Sequence, residues 1–222
     1  MYFSVIRLQR NLPLHDLALL SIGDGYRLHR LVWKLFADGP DRKRDFIYRN
    51  ESSGALPAFY TVSERVPRDD EGLWEIQSKA YAPKLYTGQK LAFSLRVNPI
   101  RTKRDDDGRQ HRHDVIMDAK IRLRNQDGGD ASGIIQTECE RWLIERSTGA
   151  GFNVSPGGVR AEGYRQHKLL KGSKSQPITF STIDFSGFLE VTAPGVFVAR
   201  CLFSGLGPAK GFGCGLMLIR PV

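Results

Sequence analysis

The segment Gly205-Leu206-Gly207-Pro208-Ala209-Lys210-Gly211-Phe212-Gly213-Cys214-Gly215 constrains the fold more than any other stretch of this chain. Two Gly-x-Gly pairs flank a centre that carries one lysine. Such a run gives a core almost no side chains; it offers permissive φ/ψ and bare backbone that a partner can approach closely. With a cation at its centre, a phosphate chain is a natural partner. A tight turn between the last helix and the last strand accounts for the glycines equally well. The segment is not a P-loop, because no Gly-Lys-Ser/Thr follows. Nor is it a dinucleotide fingerprint, because Leu216-Met217-Leu218-Ile219 reads as a strand where that motif needs a helix.

A chain of 222 residues holds one large domain or two small ones. Its 41% hydrophobic content is enough for a packed core, and its net charge of +9 points to a polyanionic partner. Of the polyanions available, nucleic acid fits better than a membrane. No apolar run approaches the roughly 18 residues that a span requires, and no basic amphipathic tail is present. Met1 to Arg7 lacks the pattern of a secretory leader. Cys139, Cys201 and Cys214 are odd in number and widely spaced, as expected of reduced thiols in a cytoplasmic protein and not of a disulfide frame or zinc site.

Alternation of large or β-branched residues predicts a first strand over Tyr2 to Arg10. A short apolar segment, Leu14 to Leu20, follows. Asp24 is then placed to cap a helix running to about Ala37, which Gly39-Pro40 ends. Strands are expected at Phe46–Asn50, Ala58–Ser63 and Trp74–Tyr81, which gives a ferredoxin-like unit with one helix weak or lost. The pattern restarts near Gly88. Lys90 to Val97 reads as a strand, and Arg101 to His113 as a basic hairpin with an Asp107-Gly108 turn. A helix is expected over Ile134 to Arg146, strands near Val159–Leu170 and Ile178–Val191, and a final helix over Val196–Phe203. The fold class is α+β: two tandem ferredoxin-like (RRM-like) domains, residues 1–88 and 89–222, the second bearing the hairpin and the glycine segment.

Helical geometry puts Leu28, Leu31, Val32, Leu35 and Phe36 on one core-facing side of the first helix. Arg27, Arg30 and Lys34 form a cationic stripe opposite. Tyr26 and His29, three residues apart, are neighbours at the border. A phenol, an imidazole and an ammonium on one exposed arc suit RNA cleavage without a metal. The 2′-OH must lose a proton as it attacks phosphorus, the leaving 5′-oxygen must gain one, and a cation offsets charge on the phosphorane. Histidine serves either proton role near neutral pH, and the helix cations should favour its neutral form. A packed core histidine beside a solvated basic stripe is the competing account.

The hairpin arms carry Arg101, Lys103, Arg104, Arg109 and Arg112, which could hold an RNA backbone. Asp105, Asp106 and Asp107 at its tip would repel phosphate, so the arms must do the binding. His111-x-His113 has no further ligands to complete a metal shell. A second basic run, Arg165 to Lys174 with Lys168 inside it, reads as strand and turn. No nucleophile elbow or cysteine–histidine neighbour supports a hydrolase triad. No metal or other cofactor is expected.

The helix Tyr26-Arg27-Leu28-His29-Arg30-Leu31-Val32-Trp33-Lys34-Leu35-Phe36 and the terminal Gly-x-Gly-x5-Gly-x-Gly, with Arg44-Asp45-Phe46 and Arg96-Val97-Asn98-Pro99-Ile100-Arg101 between them, resemble the CasE family of type I-E CRISPR repeat-RNA endoribonucleases. The likeness runs through the whole chain in order and is weakest between Gly149 and Lys174. It implies two tandem ferredoxin-like domains. It also implies metal-independent cleavage of precursor CRISPR RNA at the 3′ base of each repeat hairpin, leaving a 5′-hydroxyl and a 2′,3′-cyclic phosphate. The implied partners are the repeat hairpin, retained as crRNA, and the other Cascade subunits. By position, the resemblance makes His29 the main proton-transfer residue, Tyr26 its partner near the 2′-oxygen and Lys34 an electrostatic helper. Arg27, Arg30, the hairpin cations, Arg165, Lys168, Gly207, Lys210 and Gly213 would contact RNA. A-form stems hide base edges in a deep groove, so binding should rest on phosphates and shape. The rival is a non-catalytic RNA-binding subunit in which His29 only packs.

Overall fold

The computed structural model describes residues 1–12, 25–36, 39, 43–51, 57–105, 107–124, 131–170 and 176–222, with side chains left out at 25–27 and 131–132. The expected apolar segment Leu14 to Leu20, the Asp24 cap, the end of the first helix at Ala37, Pro40, Asp106 and the turn at 171–175 lie outside the described residues.

Strands β1 (Tyr2–Leu8), β2 (Phe46–Asn50), β3 (Ala58–Ser63) and β4 (Trp74–Ala80) form an antiparallel sheet in the order β2-β3-β1-β4, with helix α1 (Gly25–Lys34) between β1 and β2. This is the ferredoxin-like strand order. Its second helix is missing: residues 64–73 join β3 to β4 as bends and irregular chain. Alternation along β1 sends Ile6 and Leu8 into a core that also holds Val32, Leu35, Phe36, Phe46, Phe59 and Trp74. Leu28 and Leu31 pack against the same cluster, on the apolar side of α1 expected from the helical period.

The second sheet runs β11 (Met217–Pro221), β5 (Lys90–Val97), β10 (Ile178–Val191), with β9 (Val159–Leu169) and the short β8 (Phe152–Asn153) pairing along the far edge of β10. The order β11-β5-β10-β9 repeats the ferredoxin-like arrangement. Helix α3 (Ala131–Ser147) follows β5 in that scheme, and a helical turn α4 (Pro194–Val196) that runs on as a π-helix over Phe197–Phe203 precedes β11. The Ser204 N–H bonds to the Ala199 carbonyl at 3.2 Å, an i to i−5 bond at the C-terminal end of that helix.

Between β5 and α3 lie the hairpin β6 (Ile100–Arg104) and β7 (Gln110–Asp114) and a helix the sequence reading did not anticipate, α2 (Val115–Arg124). Asp114 caps it, its Oδ1 accepting from the N–H groups of Ile116 at 2.8 Å and Met117 at 2.9 Å. Helix α3 fastens the hairpin base: Trp142 Nε1 and Arg146 Nη2 both donate to the Ile100 carbonyl, at 2.9 and 2.8 Å.

The two sheets meet over Ile47, Val62 and Leu216, with Phe3, Tyr60, Tyr81, Phe203 and Leu218 packed around them. Arg96 adds a polar tie. It grips Asp184 through Nε at 2.7 Å and Nη2 at 2.8 Å, and its Nη1 donates to the Asn50 carbonyl at 3.0 Å. No helix among the described residues is long and apolar enough to cross a membrane.

Candidate active site at the joint of the two units

The glycine segment is closed on itself. Leu206 N–H bonds to the Gly215 carbonyl at 2.9 Å, and Gly215 N–H to the Arg96 carbonyl at 2.7 Å. Between these ends the 3-10 turn Lys210–Phe212 packs against β2 and α1 of the other unit. The Gly211 carbonyl receives two side chains there, Tyr48 Oη at 3.0 Å and His29 Nδ1 at 2.5 Å. A carbonyl only accepts, so Nδ1 carries a proton and the lone pair of the neutral ring sits on Nε2. The imidazole is braced by Trp33 one turn on, at 5.7 Å between centroids, and by Phe212 at 5.4 Å.

Gly211 lets two side chains approach its bare Cα closely. A Cβ there would lie 3.1 Å from Arg44 Nη1 and 3.6 Å from His29 Cε1. Gly213 is required by backbone, with φ +82°. The arrangement thus collects His29, Tyr48, Arg44 and Lys210 around one peptide unit. Burial lowers the His29 pKa from its ordinary value; its bond to Gly211 opposes this and the Arg44 charge adds to it. The direction is the one expected from the sequence, but the causes are burial and Arg44, not the helix stripe. Burial also lowers Lys210, and Arg44 beside it pushes the same way. Tyr48 is pushed up by burial, so its phenol stays protonated and keeps donating.

Other expected residues are dispersed. Tyr26 and Arg27 lie in the first turn of α1, their side chains outside those described. Arg30 is exposed. Lys34 pairs with Glu71 Oε1 at 2.6 Å. Arg101 is held inside the domain, by Glu138 at 2.9 Å and Glu145 at 3.0 Å on α3. Lys103 pairs with Asp118 of α2. Arg104 and Arg109 are exposed, Arg165 lies on the exposed side of β9, and Arg112 and Lys168 line a cavity described below. Gly207, with φ +78°, turns beneath Trp142. Asp105 closes the hairpin tip, accepting from the Arg109 N–H at 2.7 Å and contacting His111 Nε2 at 2.7 Å, while His113 faces Asp118.

Burial pushes the thiols of Cys139, Cys201 and Cys214 up to about 12, which removes them as thiolate nucleophiles near neutral pH. Sequence reasoning missed Arg44, Tyr48 and Gly211 as a group. The signal available for Arg44 was its place two residues before β2.

Fold and site together define a tandem ferredoxin-like protein whose ionisable residues converge where its two units meet. The chain belongs to the CRISPR-associated protein family, whose model matches residues 1–221. It is 29% identical over 202 residues to the CRISPR system Cascade subunit CasE of Escherichia coli K12, spanning 90% of this chain and 93% of that one. Among solved structures it is similar to Thermus thermophilus Cse3 bound to an RNA representing a pre-cleavage complex, with a TM-score of 0.72, 22% identity and 99% of each chain covered. It is also similar to the CRISPR-associated protein Cas6e of E. coli K-12, with a TM-score of 0.58, 22% identity and full coverage of both chains.

Proposed function

We propose that the protein is an endoribonuclease that cuts CRISPR precursor RNA at the 3′ base of the repeat hairpin without a metal ion. It leaves a 5′-hydroxyl and a 2′,3′-cyclic phosphate and retains the product within Cascade. Residues 1–88 supply the reacting helix, and residues 89–222 the glycine segment and the hairpin. The observation that carries this reading is His29, whose Nδ1–H is fixed on the Gly211 carbonyl beside Arg44 and Lys210. The kinship with CasE supports it.

The chemistry follows from that tautomer. Nε2 takes the 2′-OH proton as the oxygen attacks the adjacent phosphorus, the P–O5′ bond breaks, and the 5′-oxygen leaves with a proton drawn from water. Lowering of the imidazole pKa keeps the ring neutral and ready to accept. Tyr26 is assigned to the 2′-oxygen. Arg44 and Lys210 offset charge on the phosphorane, and Lys34 joins them on leaving Glu71. Arg104, Arg109, Arg112, Arg165 and Lys168 hold stem phosphates.

The test is cleavage of a repeat hairpin in excess chelator, with analysis of the product ends. A cyclic phosphate that disappears with His29→Ala, while binding persists, is expected. RNA left uncut by the unaltered protein would favour a purely RNA-binding subunit, and a metal requirement would overturn the mechanism.

A further inference from the structure

Next to His29, among residues with no proton-transfer role in the reading above, lies a cavity of about 650 Å³. Its walls come from the hairpin β6–β7, the strands β9 and β10 and the glycine segment, and include Asn98, Arg112, His167, Lys168, Phe180 and Phe212. His167 and Phe180 are cross-strand partners in β9 and β10, and their rings stack at 4.7 Å and 14°. Phe180 stacks in turn on Phe212 at 5.1 Å and 24°. Phe212 then meets His29 at 5.4 Å. A ladder of rings therefore leads from the cavity wall to the imidazole.

Both phenyl rings stay partly exposed on the cavity side, while Arg112 and Lys168 are exposed. Aromatic surface beside cations is the chemistry that holds a single nucleotide, base against ring and phosphate against charge. The cavity lies within the size range of small-molecule sites. Its one lining carboxylate, Asp114, is already engaged by Ser181 and by the N–H groups of Ile116 and Met117.

We propose that this cavity takes one unpaired nucleobase of the RNA, that of a nucleotide adjoining the scissile phosphate, against the Phe180–Phe212 wall. The inference rests on the endoribonuclease reading of His29. It gives that site a means of selection: a base drawn out of the hairpin stack fixes its own ribose and phosphate relative to the imidazole. Extrusion is least costly for a base that has no partner.

Full-length protein is given hairpin RNAs with a single abasic residue at one or other nucleotide flanking the cut. One of the two is expected to slow single-turnover cleavage roughly ten- to hundredfold. Phe180→Ala should slow intact RNA to a similar extent, and combining the two should cost no more than either alone. Phe180→Leu keeps an apolar residue of similar size, so it should hold the melting temperature yet lose most of the stacking effect. As a readout independent of cleavage, 5-iodouridine at the same nucleotide is bound to His29→Ala protein and irradiated. Adducts are expected on Phe180, Phe212 or His167. Cutting of both abasic RNAs at the intact rate, or adducts confined to other elements, overturns the cavity assignment and leaves the endoribonuclease reading standing. Failure of unaltered protein to cut intact RNA defeats that reading instead, and the crosslink still decides whether a base enters.

Discussion

Gly211 offers the sharpest perturbation, because its carbonyl orients the imidazole while its bare Cα lets two side chains approach. In Gly211→Ala, the new Cβ stands 3.1 Å from Arg44 Nη1 but 3.6 and 3.7 Å from His29 Cε1 and Nδ1. Ordinary contact begins near ~3.5 Å, so the guanidinium must retreat by about 0.4 Å and the ring need not move. The backbone at Gly211 is not left-handed, so alanine brings no strain and restricts the unfolded chain, a gain of about 0.4–1 kcal/mol. Gly211→Ala should therefore melt at or slightly above the original temperature and cleave only severalfold more slowly. Gly211→Val differs. Its γ-carbons project ~1.5 Å further and cannot avoid both neighbours, so the ring is displaced by about 1 Å. Stability should fall by about 1–3 kcal/mol, single-turnover cleavage by about a hundredfold, and hairpin affinity, proposed to rest on phosphate contacts elsewhere, by no more than about threefold. Rates in chelator, thermal melts and filter binding on the three proteins separate these effects. A valine variant that is folded and cuts at the original rate would refute the claim that the Gly211–His29 contact aligns the reacting group.

The remaining expectations bear on charge. With His29 as base and its pKa lowered by burial and Arg44, kcat/KM should rise with pH through a midpoint below 6.5 and then level; Arg44→Gln should move that midpoint upward, and a profile that instead falls with rising pH would make His29 the acid. Arg101→Ala removes the main partner of Glu138, a carboxyl that burial would raise but that Arg101, Arg122 and Arg141 together hold low; with two arginines left, the loss should be about 1–3 kcal/mol in chemical denaturation with little change in the salt slope of RNA binding. Arg104→Ala and Arg109→Ala should do the reverse, each lowering that slope by about 1 without moving the melt. Tyr48→Phe leaves the Gly211 carbonyl still bonded to His29, so it should cost about 0.5–1.5 kcal/mol of stability and, if the orienting bond is the one from His29, cleavage should persist.

The strands were readable because their side chains alternate between a buried and a less buried face; β5, with Leu91, Phe93, Leu95 and Val97 inward, is the clearest case. Helix α2 was hidden for the opposite reason. It buries only Val115, Ile116 and Ala119 and leaves Ile121 and Met117 exposed, so no 3.6-residue period announces it. Asp114, with its carboxylate over the first turn, was the available cue. The absent helix between β3 and β4 was legible as an absence, since residues 64–73 carry charges and a glycine in place of an apolar stripe.

The site was legible only in halves, because each half faces its own domain's sequence while its chemistry faces the other's. Tyr26-x-x-His29 could be singled out from helical spacing, but the group that sets its tautomer is a carbonyl 182 residues later. Backbone direction in a glycine loop has no periodic signature, so the segment could be read for its N–H groups while its closest contact to the imidazole is made through C=O. The same reasoning explains the hairpin. A run of arginines and lysines reads as uniform positive charge until the glutamates of α3 and the aspartate of α2 fold back on it, pairing Arg101 and Lys103 while Arg104, Arg109 and Arg112 stay exposed. Charge count alone therefore overstates the unpaired positive surface. What decides it is which carboxylates the tertiary fold returns to the same face.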